Sequence, residues 1–206
     1  MANKTTSWQH DIDFQCSFGL PLFKRTLNIS PKGFEWCGEL IPLKQITGLR
    51  WGVDLVRGGI FKKRVYVAAF STDTNEHVIK TRDQDFYDHL TQRFWKAVGR
   101  RLLSEMLDGL AAGKVYQFDA IAVEDKGVTI TNKQMFSTES KFYPWADLRW
   151  GTISGYLSFA THDDPEKILA GTSFLWTKNV HMFNVALGML PHAKDKTKLS
   201  STRDQM

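Results

Sequence analysis

The chain has 206 residues, long enough for one large domain or two small ones. Hydrophobic residues make up 42% and charged residues 24%, a globular composition that excludes extensive disorder. No apolar run is long enough for a membrane-spanning helix, and the first fourteen residues do not resemble a secretory signal. Cys16 and Cys37 are too few for a disulfide scaffold or a thiolate zinc site. We therefore expect buried thiols in a reducing cytosol, with one disulfide as the alternative.

The basic charge is concentrated in one third of the chain. The formal net charge is +5, and residues 23–80 contain ten Lys and Arg against five Asp and Glu. The C-terminal tail, 191–206, has a net charge of +2, is polar and contains no aromatic residue, so we expect it to be disordered. Any electrostatic function should therefore reside in 23–80.

An internal repeat divides the chain. Leu49-Arg50-Trp51-Gly52 recurs as Leu148-Arg149-Trp150-Gly151. Upstream, the Lys32-Gly33 turn is matched by Lys126-Gly127 in the same order. Two matches in one order favour a duplication over chance.

Each copy is predicted to contain short strands followed by one helix. In the first copy we predict strands at 26–30, 33–41, 46–56, 64–71 and 77–81, then an amphipathic helix from Asp85 to about Gly109, with Asp83 or Asp85 as N-cap. In the second copy we predict strands at 118–123, 128–131, 141–151, 157–161 and 168–171, then a helix over 174–190 that Pro191 ends. The predicted fold class is α+β, mainly β, each copy being a bent antiparallel sheet capped by its C-terminal helix.

The Lys-Gly turn, the Trp-bearing strand before a hairpin and the C-terminal helix resemble bacterial pleckstrin-homology-like (PH-like) domains in tandem. The resemblance covers about 24–112 and 115–190. It implies a seven-stranded bent barrel closed by a helix in each copy, and a role in binding phospholipid headgroups, peptides or proteins. Only five or six strands are evident per copy. The family's Lys and Arg-x-Arg phosphoinositide signature is missing, so that specificity is not carried over.

These features predict four regions. They are an N-terminal segment at 1–22, a first PH-like domain at 23–113, a second at 114–190 and the tail at 191–206.

The two copies differ most in the hairpin after their shared Trp. Ser154-Gly155 makes a turn four residues after Trp150, whereas Gly58-Gly59 is seven residues after Trp51. The first hairpin should therefore project about 10 Å further, at about 3.4 Å per residue. With this turn, Val56 would face Phe61 and Asp54 would face Lys63. The predicted binding residues are Val56, Arg57, Ile60, Phe61, Lys62, Lys63 and Arg64.

Apolar side chains at a projecting tip, with cations behind them, suit an anionic phospholipid surface. The leading hypothesis is therefore a cytoplasmic protein that attaches peripherally to membranes through this hairpin. The alternative is an adaptor or scaffold that binds another protein or self-associates in a multiprotein system, of which phage defence would be one setting. A structural role is equally compatible, with the apolar residues packed on the sibling domain or a second protomer.

Catalysis has no positive support in the sequence. No two histidines stand at metal-ligand spacing, and no phosphate-binding loop or nucleophile motif occurs, so we expect neither enzyme activity nor a cofactor nor a metal. Nucleic acid is an unlikely partner, because the aromatic residues are not interleaved with cations along a sheet face.

Overall fold

A computed structural model describes residues 12–18, 25–58, 61–133 and 137–206. The chain divides into two units, residues 1–100 and 101–206. This division falls inside a helix rather than at the predicted boundary of 113 and 114. The structure is mixed α/β, and its sheets are antiparallel.

The described residues of the first unit form seven strands in two sheets. The first sheet has four strands, β1 Phe14–Phe18, β2 Arg25–Ser30, β3 Gly33–Trp36 and β4 Glu39–Pro42. The second has three, β5 Gly48–Gly58, β6 Phe61–Ser71 and β7 Glu76–Thr81. Helix α1, Gln84–Phe94, follows and continues through a π-helical turn, Trp95–Gly99, into α2, Arg100–Ala111, which belongs to the second unit from Arg101 onward. Strand β1 lies within the predicted N-terminal segment 1–22 and belongs to the first sheet.

The second unit repeats this order. Its four-stranded sheet contains β8 Tyr116–Phe118, β9 Ile121–Glu124, β10 Gly127–Lys133 and β11 Thr138–Pro144. Its three-stranded sheet contains β12 Leu148–Ile153, β13 Tyr156–Thr161 and β14 Ala170–Ser173. Helix α3, Val180–Met189, follows. In both units, strands adjacent in sequence are adjacent in the sheet, as expected for successive hairpins.

The predicted barrels are not closed. In the described part of the chain the strands form four separate open sheets. Pro42 and Pro144 end β4 and β11, and each precedes a single 3₁₀ turn, Leu43–Gln45 or Trp145–Asp147. In each unit this turn separates the fourth strand from the next one, which belongs to the other sheet. This break also divides the strand that we predicted over 141–151.

Two further predicted strands are hairpins. The strand predicted over 33–41 turns at Cys37 and Gly38, and the one over 118–123 turns at Asp119. Cys37 and Asp119 have φ values of 52° and 53°, which a continuous strand does not allow. Each turn adds one strand to the five predicted, and β1 in the first unit and the division of 141–151 in the second bring the described strands to seven per unit. Cys37 is exposed and Cys16 half-buried, and both thiols are free, which corrects the expectation that both are buried.

The helices begin at specific caps. The Asp83 side chain accepts the Phe86 amide at 3.0 Å, as predicted for the N-cap of the first helix. The last helix begins only at Val180, six residues after the predicted start. The preceding Asn179 has a φ of 63°, and the Ser173 hydroxyl accepts the amides of Leu175 and Trp176, so this stretch forms turns instead.

The C-terminal tail differs from the disordered segment that we expected. Leu199 is buried and its amide donates to the Asp125 carbonyl at 2.7 Å, while the Ser200 amide donates to the Asp125 carboxylate at 2.8 Å. Arg203 forms an ion pair with Asp108 of α2 at 2.8 Å. One buried leucine and a few polar contacts therefore order a segment whose composition is that of a disordered tail.

A phenylalanine cluster fills the core of each unit. In the first unit Phe34 of β3 lies 5.0 Å from Phe70 of β6 and 5.2 Å from Phe94 of α1, between ring centroids. In the second, Phe183 of α3 lies 5.1 Å from Phe118 of β8 and 5.9 Å from Phe159 of β13. Each cluster joins both sheets to the helix.

Close packing explains why glycine follows lysine at the matching turn of both units. Gly33 pairs with Pro42, and Gly127 pairs with Pro144. A Cβ on Gly33 would overlap the Ile41 carbonyl oxygen, and one on Gly127 would overlap the Tyr143 carbonyl oxygen. Both glycines are therefore required by the close approach of the fourth strand.

Gly33→Ala and Gly127→Ala should each lower the free energy of unfolding by about 1–3 kcal/mol, because a methyl group there meets backbone that cannot move aside cheaply. Gly151→Ala is the matched control, since nothing lies within 4 Å of its Cβ position. Chemical denaturation measures all three. Equal stability of the three variants would contradict the packing explanation.

Candidate functional site

The hairpin of β5 and β6 carries the predicted binding residues, but its register differs from the prediction. Gly58 pairs with Phe61, so Gly58 lies within the strand rather than in the predicted turn Gly58-Gly59, whose second residue lies outside the described residues. Val56 consequently faces Lys63, and Asp54 faces Val65. Because each partner shifts by two residues, every side chain stays on its expected face. Ile60 and the Phe61 side chain lie outside the described residues.

This hairpin is longer than its counterpart in the second unit. There, the turn Ser154-Gly155 follows the pair of Ile153 with Tyr156. The corresponding pair, at the same distance from the shared Leu-Arg-Trp-Gly, is Asp54 with Val65. Four more cross-strand pairs follow it, which extend the hairpin by about 14 Å. We call residues 55–64 the basic ribbon.

The basic ribbon is a two-stranded structure beyond the end of the third strand. Strand β7 reaches only as far as Tyr66, which pairs with Thr81. The described ribbon residues further out therefore pair across the hairpin alone. Two strands alone make too small a sheet to form a core, so the side chains on both faces of the ribbon are accessible to a partner.

Apolar and basic side chains alternate on both faces of the ribbon. Leu55 faces Arg64 on one face, and Val56 faces Lys63 on the other. Leu55 is 57% exposed and Val56 45% exposed. Nearest the tip, Arg57 faces Lys62. The four predicted cations, Arg57, Lys62, Lys63 and Arg64, are all exposed.

Local acidic residues do not neutralise the ribbon. Residues 55–64 contain four cations and no Asp or Glu. None of the four cations forms an ion pair with another described residue. Since Arg57 and Lys62 are directly opposed like charges, this arrangement is unfavourable in isolation. An anionic partner would remove that repulsion.

Two exposed apolar residues were not among the predicted site residues. Leu55 lies within the ribbon, and Val53, 46% exposed, lies on the same face two residues earlier. Val53 and Leu55 stand on either side of Asp54 in the sequence, and this spacing of two residues is the signal that could have identified them. A strand of a sheet's core would bury one of these two faces, whereas both faces are exposed here.

The shared arginines have different environments. Arg50 is buried, and its guanidinium binds both carboxylate oxygens of Glu76, at 2.9 Å and 2.7 Å. Arg149, its counterpart, is exposed. The bidentate pair gives Arg50 a structural role in the second sheet of its unit and leaves it unsuited to nucleotide contacts.

A polar groove in the first unit is a second candidate. It lies beside β4 and the β6–β7 turn, and its lining includes Glu39, Lys44, Asp73 and His77. The mixed charge does not select an anion. The His77 ring stacks on Phe70 with centroids 4.8 Å apart and lies 5.2 Å from Trp36. Burial lowers the pKa of His77, and the nearby Glu39 charge partly opposes this effect.

Within the described ranges, no three His, Cys, Asp or Glu side chains are grouped as metal ligands. No helix among the same residues is long and apolar enough to cross a membrane. Comparisons with protein-family models, with curated proteins and with solved structures find no match to the chain. The site must therefore be interpreted from its own geometry.

Acid should destabilise the first unit through His77. The unfolded chain binds a proton near the ordinary pKa of 6.5, while burial lowers the folded pKa, so stability falls as the pH drops below about 6.5. His77→Phe should retain the aromatic stacking and reduce the loss of unfolding free energy between pH 7.5 and 5.5. The wild-type chain, measured over the same pH range, is the reference. An unaltered pH dependence in His77→Phe would refute the assignment.

Proposed function

We propose that the chain is a non-catalytic, cytoplasmic binding protein of two tandem PH-like units, and that its basic ribbon attaches it to anionic membrane surfaces. The PH-like interpretation is supported by the order of elements. Each unit has a four-stranded sheet, a three-stranded sheet and then a helix. Seven strands and a terminal helix are what the resemblance implies, and they occur twice.

The observation that carries the membrane proposal is the composition and exposure of the ribbon. Four cations near an anionic surface contribute about 1 kcal/mol each, so together they can raise affinity about a thousandfold. The exposed Leu55 and Val56 add apolar area that can enter the headgroup region. Because the cations are exposed, screening by salt should weaken the attachment.

An adaptor function is the second candidate, and the second unit provides the observation that favours it. Ile153 and Tyr156 face each other at the tip of the short hairpin and are 54% and 46% exposed. Tyr156 pairs with Ser173, whose hydroxyl accepts the amide of the exposed Trp176. These three large side chains carry no charge, which suits a protein partner better than a lipid headgroup.

Co-sedimentation of the full chain with phosphatidylcholine vesicles, with and without phosphatidylserine, tests the membrane proposal. Binding should require phosphatidylserine and weaken between low and physiological salt. Leu55→Ser with Val56→Ser should reduce the bound fraction, because it removes the exposed apolar area. Arg57→Gln with Lys62→Gln should reduce the affinity for the vesicles about tenfold or more, because two cations are lost.

Ile153→Ser with Tyr156→Ser is the matched control. It removes exposed apolar groups from the corresponding hairpin, and vesicle binding should persist. If the wild-type chain does not bind phosphatidylserine vesicles at low salt, the membrane proposal fails. If the control variant loses binding as much as the ribbon variants, the ribbon is not the attachment site.

A further inference from the structure

Strand β11 is an exposed edge of the second unit. Among the described strands it pairs with β10 alone, through seven consecutive pairs from Gly127 with Pro144 to Lys133 with Thr138. Its first five residues are exposed, so neither face of the strand is covered there. A long exposed edge presents unpaired backbone groups to any second strand.

The hydrogen bonding of β10 shows which backbone groups of β11 point outward. The Thr131 amide donates to the Ala120 carbonyl at 2.9 Å, away from β11. Thr131 is the partner of Ser140, so this is a non-hydrogen-bonded pair. The N–H and C=O of Ser140 therefore point away from β10, and those of Thr138 and Phe142 do the same because the pattern alternates along a strand.

The charged side chains of β11 are complementary to those of a second, antiparallel copy of the same strand. Glu139 and Lys141 stand on either side of Ser140 in the strand. Their side chains share one face, opposite that of the Ser140 side chain, and both are exposed. Neither forms an ion pair with another described residue, although the Lys141 ammonium lies 5.0 Å from the centre of the Tyr143 ring. An antiparallel copy centred on Ser140 would place each Glu139 opposite the Lys141 of the other chain.

Other two-fold registers lack this match. Centring the pair on Lys141 or on Glu139 opposes like charges directly. Centring on Ser140 also makes its own pair a hydrogen-bonded one, since the Ser140 backbone groups point outward. The two Glu139–Lys141 pairs are then non-hydrogen-bonded pairs, in which side chains lie closest. The backbone permits any register centred on one residue of β11, because outward-pointing residues then face each other, and the charges select the register centred on Ser140.

We propose that two copies of the chain associate through antiparallel β11 strands centred on Ser140. About six backbone hydrogen bonds would form, from Thr138, Ser140 and Phe142 of each chain, and join the two four-stranded sheets. On the face opposite the charges, Phe142, 46% exposed, would pack against Thr138 of the other chain. The two-fold complementarity favours a second copy over an unrelated peptide. The proposal is independent of membrane binding.

Charge reversal tests the register. Sedimentation equilibrium of the full chain should show a monomer–dimer equilibrium. Glu139→Lys and Lys141→Glu should each raise the dimer dissociation constant about tenfold or more, because each creates two like-charge pairs. The double variant with both changes should return to within about threefold of wild type. Glu166→Lys, at an exposed turn, is the control for net charge and should leave the constant unchanged.

Proline substitution tests the edge separately. Ser140→Pro removes an amide that points outward, so the pairing of β11 with β10 should survive while the dimer is lost. Circular dichroism and thermal unfolding check that the fold is retained.

A chain that is monomeric at every concentration up to the solubility limit would overturn the proposal. So would a dimer that keeps its dissociation constant in Glu139→Lys and Lys141→Glu, since its interface would then lie elsewhere.

Discussion

The phenylalanine contacts between two sheets and a helix are the constraint on which each unit depends. Phe34, Phe70 and Phe94 are fully buried, so neither sheet of the first unit can move without opening the cluster. A sheet of three or four strands has a large apolar face, and only the other sheet and the helix can cover it. Such aromatic contacts add stability beyond the area that they bury.

The two units share this core and differ where the core imposes no constraint. Up to the pairs of Asp54 with Val65 and Ile153 with Tyr156, the second sheets correspond. Beyond this point the hairpin of the second unit closes through Ser154-Gly155, while that of the first continues for four more pairs, with which none of the other described strands pairs. A repeat of one fold can in this way acquire a new surface without changing its packing. The basic charge of the chain is concentrated on that surface.

The sequence predicted the features that follow from periodicity and from the repeat. Asp83, one of the two N-caps that the sequence predicts, caps the first helix, and the hairpin after Trp51 is the longer one, as its later glycine pair predicts. The errors lie where one residue adopts an unusual backbone conformation. Cysteine is not a residue type that favours a positive φ, so the sequence around Cys37 predicts one strand where the structure has a hairpin.

The ordered tail depends on the contacts of Leu199 with a distant turn, which no local pattern shows. The ribbon register depended on whether Gly58 belongs to the turn or to the strand, and both places suit a glycine in a hairpin.

The most direct test of the account is to give the first unit the hairpin of the second. Replacing residues 55–64 by Ser-Gly would join Asp54 to Val65 through the turn that joins Ile153 to Tyr156. We expect a cooperative thermal transition close to that of the wild type, and loss of binding to phosphatidylserine vesicles. Retained vesicle binding would contradict the role of the ribbon, and an unfolded protein would show that the ribbon is part of the structural core.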